Sequence, residues 1–158
     1  MTVQGKRRSL QRPIVREVKY RHTVADLMTR KVAVLRRDDA LSIADEVMKQ
    51  KRVRHMPVVD EKDRLVGIVS QRDLFRGALV EALAFAASPP GEPMKTLLVK
   101  EVMQADVETT RPDASLGEAA RLMVRKKIGC LPVVKDGKVM AILTESDFVG
   151  WAARRNDC

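Results

Sequence analysis

The chain has 158 residues, of which 45% are apolar and 3% aromatic, a length that suits one packed domain or two small repeats sharing a core. The scarcity of aromatic side chains disfavours a surface that stacks nucleic-acid bases, while the formal charge of +9 indicates an acidic partner such as a nucleotide, nucleic acid, anionic lipid or acidic protein. Cys130 and Cys158 form no disulfide framework and no apolar stretch is long enough to cross a bilayer, so we expect a cytoplasmic protein that does not associate with membranes.

Residues 1–22 form the first predicted segment. This segment combines frequent basic residues with glycine and proline, and it lacks a sustained helical period. Its basic side chains include Lys6, Arg7, Arg8, Arg12, Arg16 and Lys19. We expect a flexible basic arm.

Residues 23–76 contain a unit of the order β-α-β-β-α. A β-branched run at 32–35 predicts a strand, and the following apolar positions recur at helical spacing. The predicted helix face comprises Leu41, Ala44, Val47 and Met48. Apolar runs at 56–59 and 65–69 then predict a hairpin that enters a second helix after Ser70.

Residues 77–95 extend this second helix and then leave it. Residues 78–83 are apolar and rich in alanine, which favours helix, whereas residues 88–93 contain three prolines and one glycine. We therefore predict a helix extension followed by a linker.

Residues 96–150 repeat the first unit, and 151–158 form a tail. An offset of 75 aligns Met28 with Met103 and Pro57 with Pro132, and an offset of 74 aligns residues 68–74 with 142–148. In this copy we predict a strand at 107–109, a capping box from Ser115 to Glu118 and a hairpin turn at 136–137. The fold class is α+β, with two β-α-β-β-α repeats that share a core because neither is large enough to bury one alone.

The two copies together resemble the tandem CBS-domain pair, or Bateman module, over residues 23–150. The matching strings are Leu27-Met28-Thr29, residues 54–60 and 65–74, and their partners at 102–103, 131–134 and 142–148. The resemblance implies repeats packed through their sheets with pseudo-twofold symmetry, two clefts that take adenosine-containing ligands, a regulatory rather than catalytic role, and a homodimer.

A Ser/Thr-x-x-Asp motif begins the last helix of each repeat. It occurs as Ser70 with Asp73 and as Thr144 with Asp147. At a helix N-terminus the hydroxyl and free N–H groups suit a phosphate, and the carboxylate suits a ribose diol. The same spacing is also that of an N-terminal cap, and the two interpretations are compatible.

The residues before the two central prolines differ between repeats. Arg54 and His55 in the first copy could hold a phosphate, whereas Gly129 and Cys130 in the second could not. We therefore expect two unequal sites, with Arg54 serving either cleft or acting only as a surface charge. Further nucleotide-binding residues that the resemblance implies are Thr29, Ala33, Val53, Met56, Pro57, Val107, Ile128, Leu131 and Pro132.

We interpret the chain as a stand-alone, non-enzymatic module that binds AMP, ADP, ATP or a related adenosyl compound and regulates an unidentified partner protein. No catalytic cofactor or metal site is expected, because the two histidines lack metal-ligand spacing, and a dependence on Mg²⁺ is left open. The alternative is a nucleic-acid-binding or scaffold dimer that uses the basic arm, with its clefts empty or secondary.

Overall fold

The computed structural model describes residues 22–91 and 96–154. All but the last residue of the predicted arm, and the tail beyond residue 154, lie outside the described residues. After a short 3-10 helix at Val24–Asp26, the elements in chain order are β1 (Leu35–Arg36), α1 (Leu41–Lys51), β2 (His55–Val59), β3 (Leu65–Ser70), α2 (Gln71–Ala87), α3 (Val99–Val102), α4 (Leu116–Lys126), β4 (Cys130–Lys135), β5 (Lys138–Thr144) and α5 (Glu145–Arg154).

The strands form one small sheet in each repeat. In the first repeat β1 pairs in parallel with β2, and β2 pairs antiparallel with β3. In the second repeat β4 and β5 form an antiparallel pair. The tight turn of that pair has Asp136 at φ 52° and Gly137 at φ 78°, which confirms the predicted Asp-Gly hairpin.

The helices bury the predicted faces. Leu41, Ala44 and Met48 of α1 are buried in the first repeat, as are Leu116, Ala119 and Met123 of α4 in the second. The predicted capping box at the start of α4 is wrong, because the Ser115 side chain makes no capping hydrogen bond. A backbone hydrogen bond holds the start of α4 instead: the Leu116 N–H donates to the His22 carbonyl at 2.9 Å.

The first strand of each repeat is shorter than predicted. β1 comprises Leu35–Arg36 rather than residues 32–35, and the predicted strand at 107–109 is replaced by a single bridge between Thr110 and Val133. The physical reason is that the chain between residues 29 and 35, and between 104 and 110, crosses from one sheet to the other. A crossing segment cannot follow a neighbouring strand for more than a residue or two.

Each repeat completes the sheet of the other. The Thr29 N–H donates to the Ile142 carbonyl of β5 at 2.8 Å, and the Gln104 N–H donates to the Ile68 carbonyl of β3 at 2.9 Å. Both residues also accept a hydrogen bond in return, at 3.0 and 2.9 Å. The two pairings are related by the sequence offset, which is the pseudo-twofold relation expected of the repeats.

The two hydrophobic cores are exchanged in the same way. Val24 and Met28, which precede the first repeat's sheet, lie in the core formed by α4, β4 and β5. Val99 lies in the core formed by α1, β2 and β3.

α2 is continuous to Ala87, and Ser88 is its C-cap residue. The helix therefore continues past residue 76, as the predicted helix extension requires, and ends where the proline-rich stretch begins.

Candidate ligand-binding clefts

Asp147 at the start of α5 collects hydroxyl groups from both repeats. Its Oδ2 accepts from the Thr144 N–H at 2.7 Å and from the Thr144 hydroxyl at 3.0 Å, and its Oδ1 accepts from the Thr29 hydroxyl at 3.0 Å. Thr29 is held there because its backbone pairs with β5. Three of the predicted binding residues, from two repeats, are therefore in direct contact. We call this place the Asp147 cleft.

Asp73 at the start of α2 forms the equivalent Asp73 cleft with fewer partners. Its Oδ2 accepts from the Ser70 N–H at 2.8 Å and from the Ser70 hydroxyl at 2.5 Å, and the Asp73 N–H donates back to that hydroxyl at 3.3 Å. Among the described residues, Asp73 accepts from Ser70 alone. Gln104 occupies the position equivalent to Thr29, and Asp73 is buried, with 7% of its surface exposed.

Both motifs act as caps. Ser70 and Asp73 form a reciprocal capping box, and Asp147 holds the Thr144 N–H in the same manner. A carboxylate has about four lone-pair positions, so each of these groups can still accept hydroxyl donors from a ligand. The capping interpretation is confirmed, and it is compatible with binding.

His55 and Arg54 lie beside the helix starts. The Arg54 carbonyl accepts from the Gln71 N–H at 2.9 Å, while its side chain is exposed. Burial lowers the pKa of His55, the neighbouring Arg54 lowers it further, and Glu145 and Asp73 act in the opposite direction. Burial and Arg54 therefore favour the neutral imidazole, which can offer a hydrogen bond at this place.

The residues predicted to contact the base differ in their accessibility. Met56, Pro57, Leu131 and Pro132 are fully buried, and Met56 and Leu131 belong to the two hydrophobic cores. Ala33, Val107, Ile128 and Gly129 are half-buried, and Val53 is 37% exposed. Only the second group presents surface that a ligand could reach without rearrangement.

Two cavities lie near the clefts, and the sequence indicated neither. One, of about 260 Å³, lies between the repeats and is lined by Leu65, Val66, Ala105, Val107, Thr109, Val134 and Gly137, of which only Val107 was a predicted site residue. The larger, of about 450 Å³, lies between α1 and α2, and its lining includes Gln71 and Leu74, which are close to Asp73 in the sequence.

Cys130 is not placed for nucleophilic chemistry. It is 5% exposed, and burial raises the pKa of its thiol to about 12, so the thiol stays protonated at neutral pH. Within residues 22–91 and 96–154, no group of three His, Cys, Asp or Glu side chains could hold a metal ion. Over the same residues, no helix has the length and apolar character needed to cross a membrane.

Solved structures of several proteins share this fold. AcuB of Vibrio cholerae is 40% identical with a TM-score of 0.71, and the alignment covers 84% of this chain and 91% of that one. CBSX2, solved in complex with AMP, is 30% identical with a TM-score of 0.69 over 84% of this chain and 96% of that one. The CBS domain pair of protein MJ0100, solved with 5′-methylthioadenosine and S-adenosyl-L-methionine, is 25% identical with a TM-score of 0.69 over 83% and 99%.

Curated relatives include much longer enzymes. The homoserine O-acetyltransferase of Methanococcoides burtonii is 34% identical over 129 residues, which are 80% of this chain but 24% of that enzyme. The chain thus spans about a quarter of that enzyme's length. The family model of the CBS domain matches residues 24–79 and again residues 99–154. The chain therefore belongs to the CBS domain family and carries two CBS domains in tandem.

Proposed function

We propose that this chain is a regulatory module that binds an adenine nucleotide or a related adenosyl ligand in the Asp147 and Asp73 clefts. The observation that supports this most directly is the hydrogen bond between Thr29 and Asp147, because it joins a hydroxyl of one repeat to a carboxylate of the other. A ligand that used both groups would sense the relative position of the repeats. Two related CBS structures were solved with adenosyl ligands, one with AMP and one with 5′-methylthioadenosine and S-adenosyl-L-methionine.

The chemistry of each cleft suits the ribose and the phosphate of a nucleotide. The carboxylates of Asp73 and Asp147 can each accept hydrogen bonds from the two hydroxyls of a ribose. The free N–H groups at the starts of α2 and α5, together with the hydroxyls of Ser70 and Thr144, can donate to a phosphate or to another electron-rich group. The aspartates already accept hydrogen bonds from these hydroxyls. A bound ligand would therefore replace some of these hydrogen bonds within the protein with hydrogen bonds to itself.

Binding can be converted into a signal through the segment that contains Thr29. This segment pairs with β5 of the second repeat and then continues into β1 of the first. A ligand that displaced the Thr29 hydroxyl from Asp147 would act on both sheets. We propose that this change alters the surface offered to a regulated partner protein.

We also propose that the chain forms a homodimer through α2. Three side chains spaced four residues apart on this helix, Phe75, Leu79 and Leu83, are 73%, 52% and 62% exposed. A continuous apolar stripe of this kind is typical of a surface that is covered in an assembly.

The alternative function is nucleic-acid binding through the basic arm at residues 1–22, and it rests on the net charge of +9. It predicts that nucleic acid retains the protein in a salt-sensitive manner, and that deletion of residues 1–20 abolishes this retention.

The proposed function is tested by isothermal titration of the full chain with AMP, ADP, ATP, S-adenosyl-L-methionine and GMP, with and without Mg²⁺. We expect adenosyl ligands to bind and GMP to bind weakly or not at all. Asp73→Asn and Asp147→Asn should each weaken binding at one cleft, since the amide cannot accept as the carboxylate does.

Asp113→Asn is the matched control, because Asp113 is exposed and pairs with Arg111 at 3.0 Å. Its binding should equal that of the wild type. If the folded wild-type protein, freed of co-purified nucleotide, binds no adenosyl ligand, the proposed function is wrong.

A further inference from the structure

The cavity between α1 and α2 combines apolar surface with a size that suits a small molecule. Its volume is about 450 Å³, and small-molecule sites in proteins usually measure about 300–1,000 Å³. Its apolar lining comes from Leu41 of α1 and from Leu74, Phe75 and Ala78 of α2. Phe75 is 73% exposed, so part of this apolar surface faces water and would be covered by an occupant.

The charged groups on the wall of this cavity are two carboxylates. Asp45 and Glu81 line it, and no lysine or arginine is among the described residues that do so. The chain as a whole has 30 lysines and arginines against 21 aspartates and glutamates, so the charge of the cavity is opposite to that of the molecule. The cavity therefore favours a cation over an anion.

The two carboxylates differ in their partners. Asp45 pairs with Lys49 at 2.5 Å, whereas Glu81 pairs with no cation among the described residues. The Oε1 atom of Glu81 accepts from the Leu97 N–H at 2.5 Å. A carboxylate has about four lone-pair positions, so Glu81 can accept further hydrogen bonds. It is also partly buried, and its charge is therefore screened less than that of a group in open water.

The second repeat carries neither acid at the equivalent positions. The offset of 75 places Ala120 at the position of Asp45, and the offset of 74 places Arg155 at the position of Glu81. α4 nevertheless spans the same number of residues as α1. The architecture of the repeat therefore does not account for the two acids.

We infer that the cavity between α1 and α2 is a second ligand site, which takes a small organic cation with an apolar body, such as an arylalkylamine. The apolar body would contact Leu41, Leu74 and Phe75, and the ammonium group would donate to Glu81. Neither Asp73 nor Asp147 lines this cavity, so the inference adds a site to the two clefts and does not depend on their ligands.

Three probes with the same phenyl ring and different charges test the inference. They are 2-phenylethylamine, a cation; 2-phenylethanol, which is neutral; and 3-phenylpropionate, an anion. Each is titrated at neutral pH into the ¹⁵N-labelled full chain, and binding is followed by the amide NMR shifts. We expect the amine to bind about tenfold more tightly than the anion, with the alcohol between them, and the shifts to concentrate at residues 41–45 and 71–81.

Three variants separate the charge from the cavity. Glu81→Gln keeps an acceptor for the Leu97 N–H but removes the charge, so amine affinity should fall by about fivefold while that of the alcohol stays within about twofold. Ala78→Leu fills the cavity with another good helix former and should weaken all three probes. Glu46→Gln is the matched control, because Glu46 is exposed next to Asp45 and does not line the cavity. Circular dichroism verifies the folding of every variant.

The opposite results would overturn the inference. It is wrong if no probe binds, if the amine binds no more tightly than the alcohol, or if Glu81→Gln weakens the two equally. Two other occupants would each contradict it as well. A second copy of the chain would make amine affinity fall as the protein concentration rises, and the basic arm would make that affinity rise when residues 1–20 are deleted. None of these results bears on adenosyl binding, which the titration with nucleotides tests separately.

Discussion

Thr29 and its repeat equivalent Gln104 differ in how they contact the two carboxylates. Thr29 donates its hydroxyl to Asp147, whereas the equivalent Gln104 makes no such bond to Asp73 among the described residues. The backbones of both residues pair with the opposite sheet in the same way. The difference between the clefts therefore arises from side-chain chemistry on a common frame.

His55 gives a pH dependence whose sign follows from its burial. The pKa of His55 is lowered in the folded protein, first by burial and then by Arg54. Above about pH 6.5 the imidazole is neutral in both states, so stability is unaffected; as the pH falls through that value, the unfolded chain takes up the proton first and the free energy of unfolding decreases.

We therefore expect the melting temperature of the wild type to fall between about pH 7.5 and about pH 5.5, and His55→Gln to reduce that fall. Thermal unfolding followed by circular dichroism measures both. His22→Gln serves as the control, because His22 is the other histidine and packs edge-on against Trp151. A His55→Gln protein as sensitive to pH as the wild type would contradict the assignment.

At the scale of elements, the internal repeat predicted the helices and hairpins because their signals are local. The apolar spacing in α1 and α4 and the Asp-Gly turn each lie within a few residues of sequence. The crossing segments could not be predicted in the same way. Their partners, Ile142 for Thr29 and Ile68 for Gln104, lie in the other repeat, and a β-branched run looks the same whether it pairs or crosses.

The site was predictable to a similar extent. The sequence offset identified Asp73 and Asp147 with their hydroxyl partners, and the structure brings each pair into contact. The position of the Glu145 carboxylate over Gly129 was not predicted, because nothing in the Ser/Thr-x-x-Asp motif indicates it. That contact depends on the hairpin that brings residues 129 and 145 together.

The junction between β3 and the crossing chain leaves little room for a side chain at Gly67. A Cβ atom there would be 2.6 Å from Met103 Sδ and 3.1 Å from the Gln104 carbonyl, which itself pairs with Ile68. We expect Gly67→Ala to lower the free energy of unfolding by about 1–3 kcal/mol, measured by urea denaturation.

Gly150→Ala in α5 is the matched control for that substitution. Among the described residues its Cβ would meet Arg154 Nη1, at 3.5 Å, and nothing closer, so the gain in helix propensity should stabilise the protein by about 0.5–1 kcal/mol. Equal stability of Gly67→Ala and the wild type would show that the junction relaxes around the added methyl group.

For the whole molecule, the exchange of segments predicts that the two CBS domains unfold as one unit. Each core contains side chains that precede the sheet of the other repeat, with Val24 and Met28 in one and Val99 in the other. A ligand in either cleft would therefore act on a structure in which neither domain can move without disturbing the core of its neighbour. The shared cores therefore couple the two domains.

The coupling predicts that Val24→Ala and Val99→Ala lower a single unfolding transition rather than one of two. Both side chains are fully buried, so each substitution should cost about 1–3 kcal/mol, whereas Val80→Ala, at a position 56% exposed on α2, should stay within about 0.5 kcal/mol of the wild type. Calorimetry and urea denaturation measure the number of transitions and their midpoints. If Val24→Ala instead split the unfolding into two steps and shifted only one, the repeats would be independent domains, and ligand binding at one cleft would have no path through the shared core to the other.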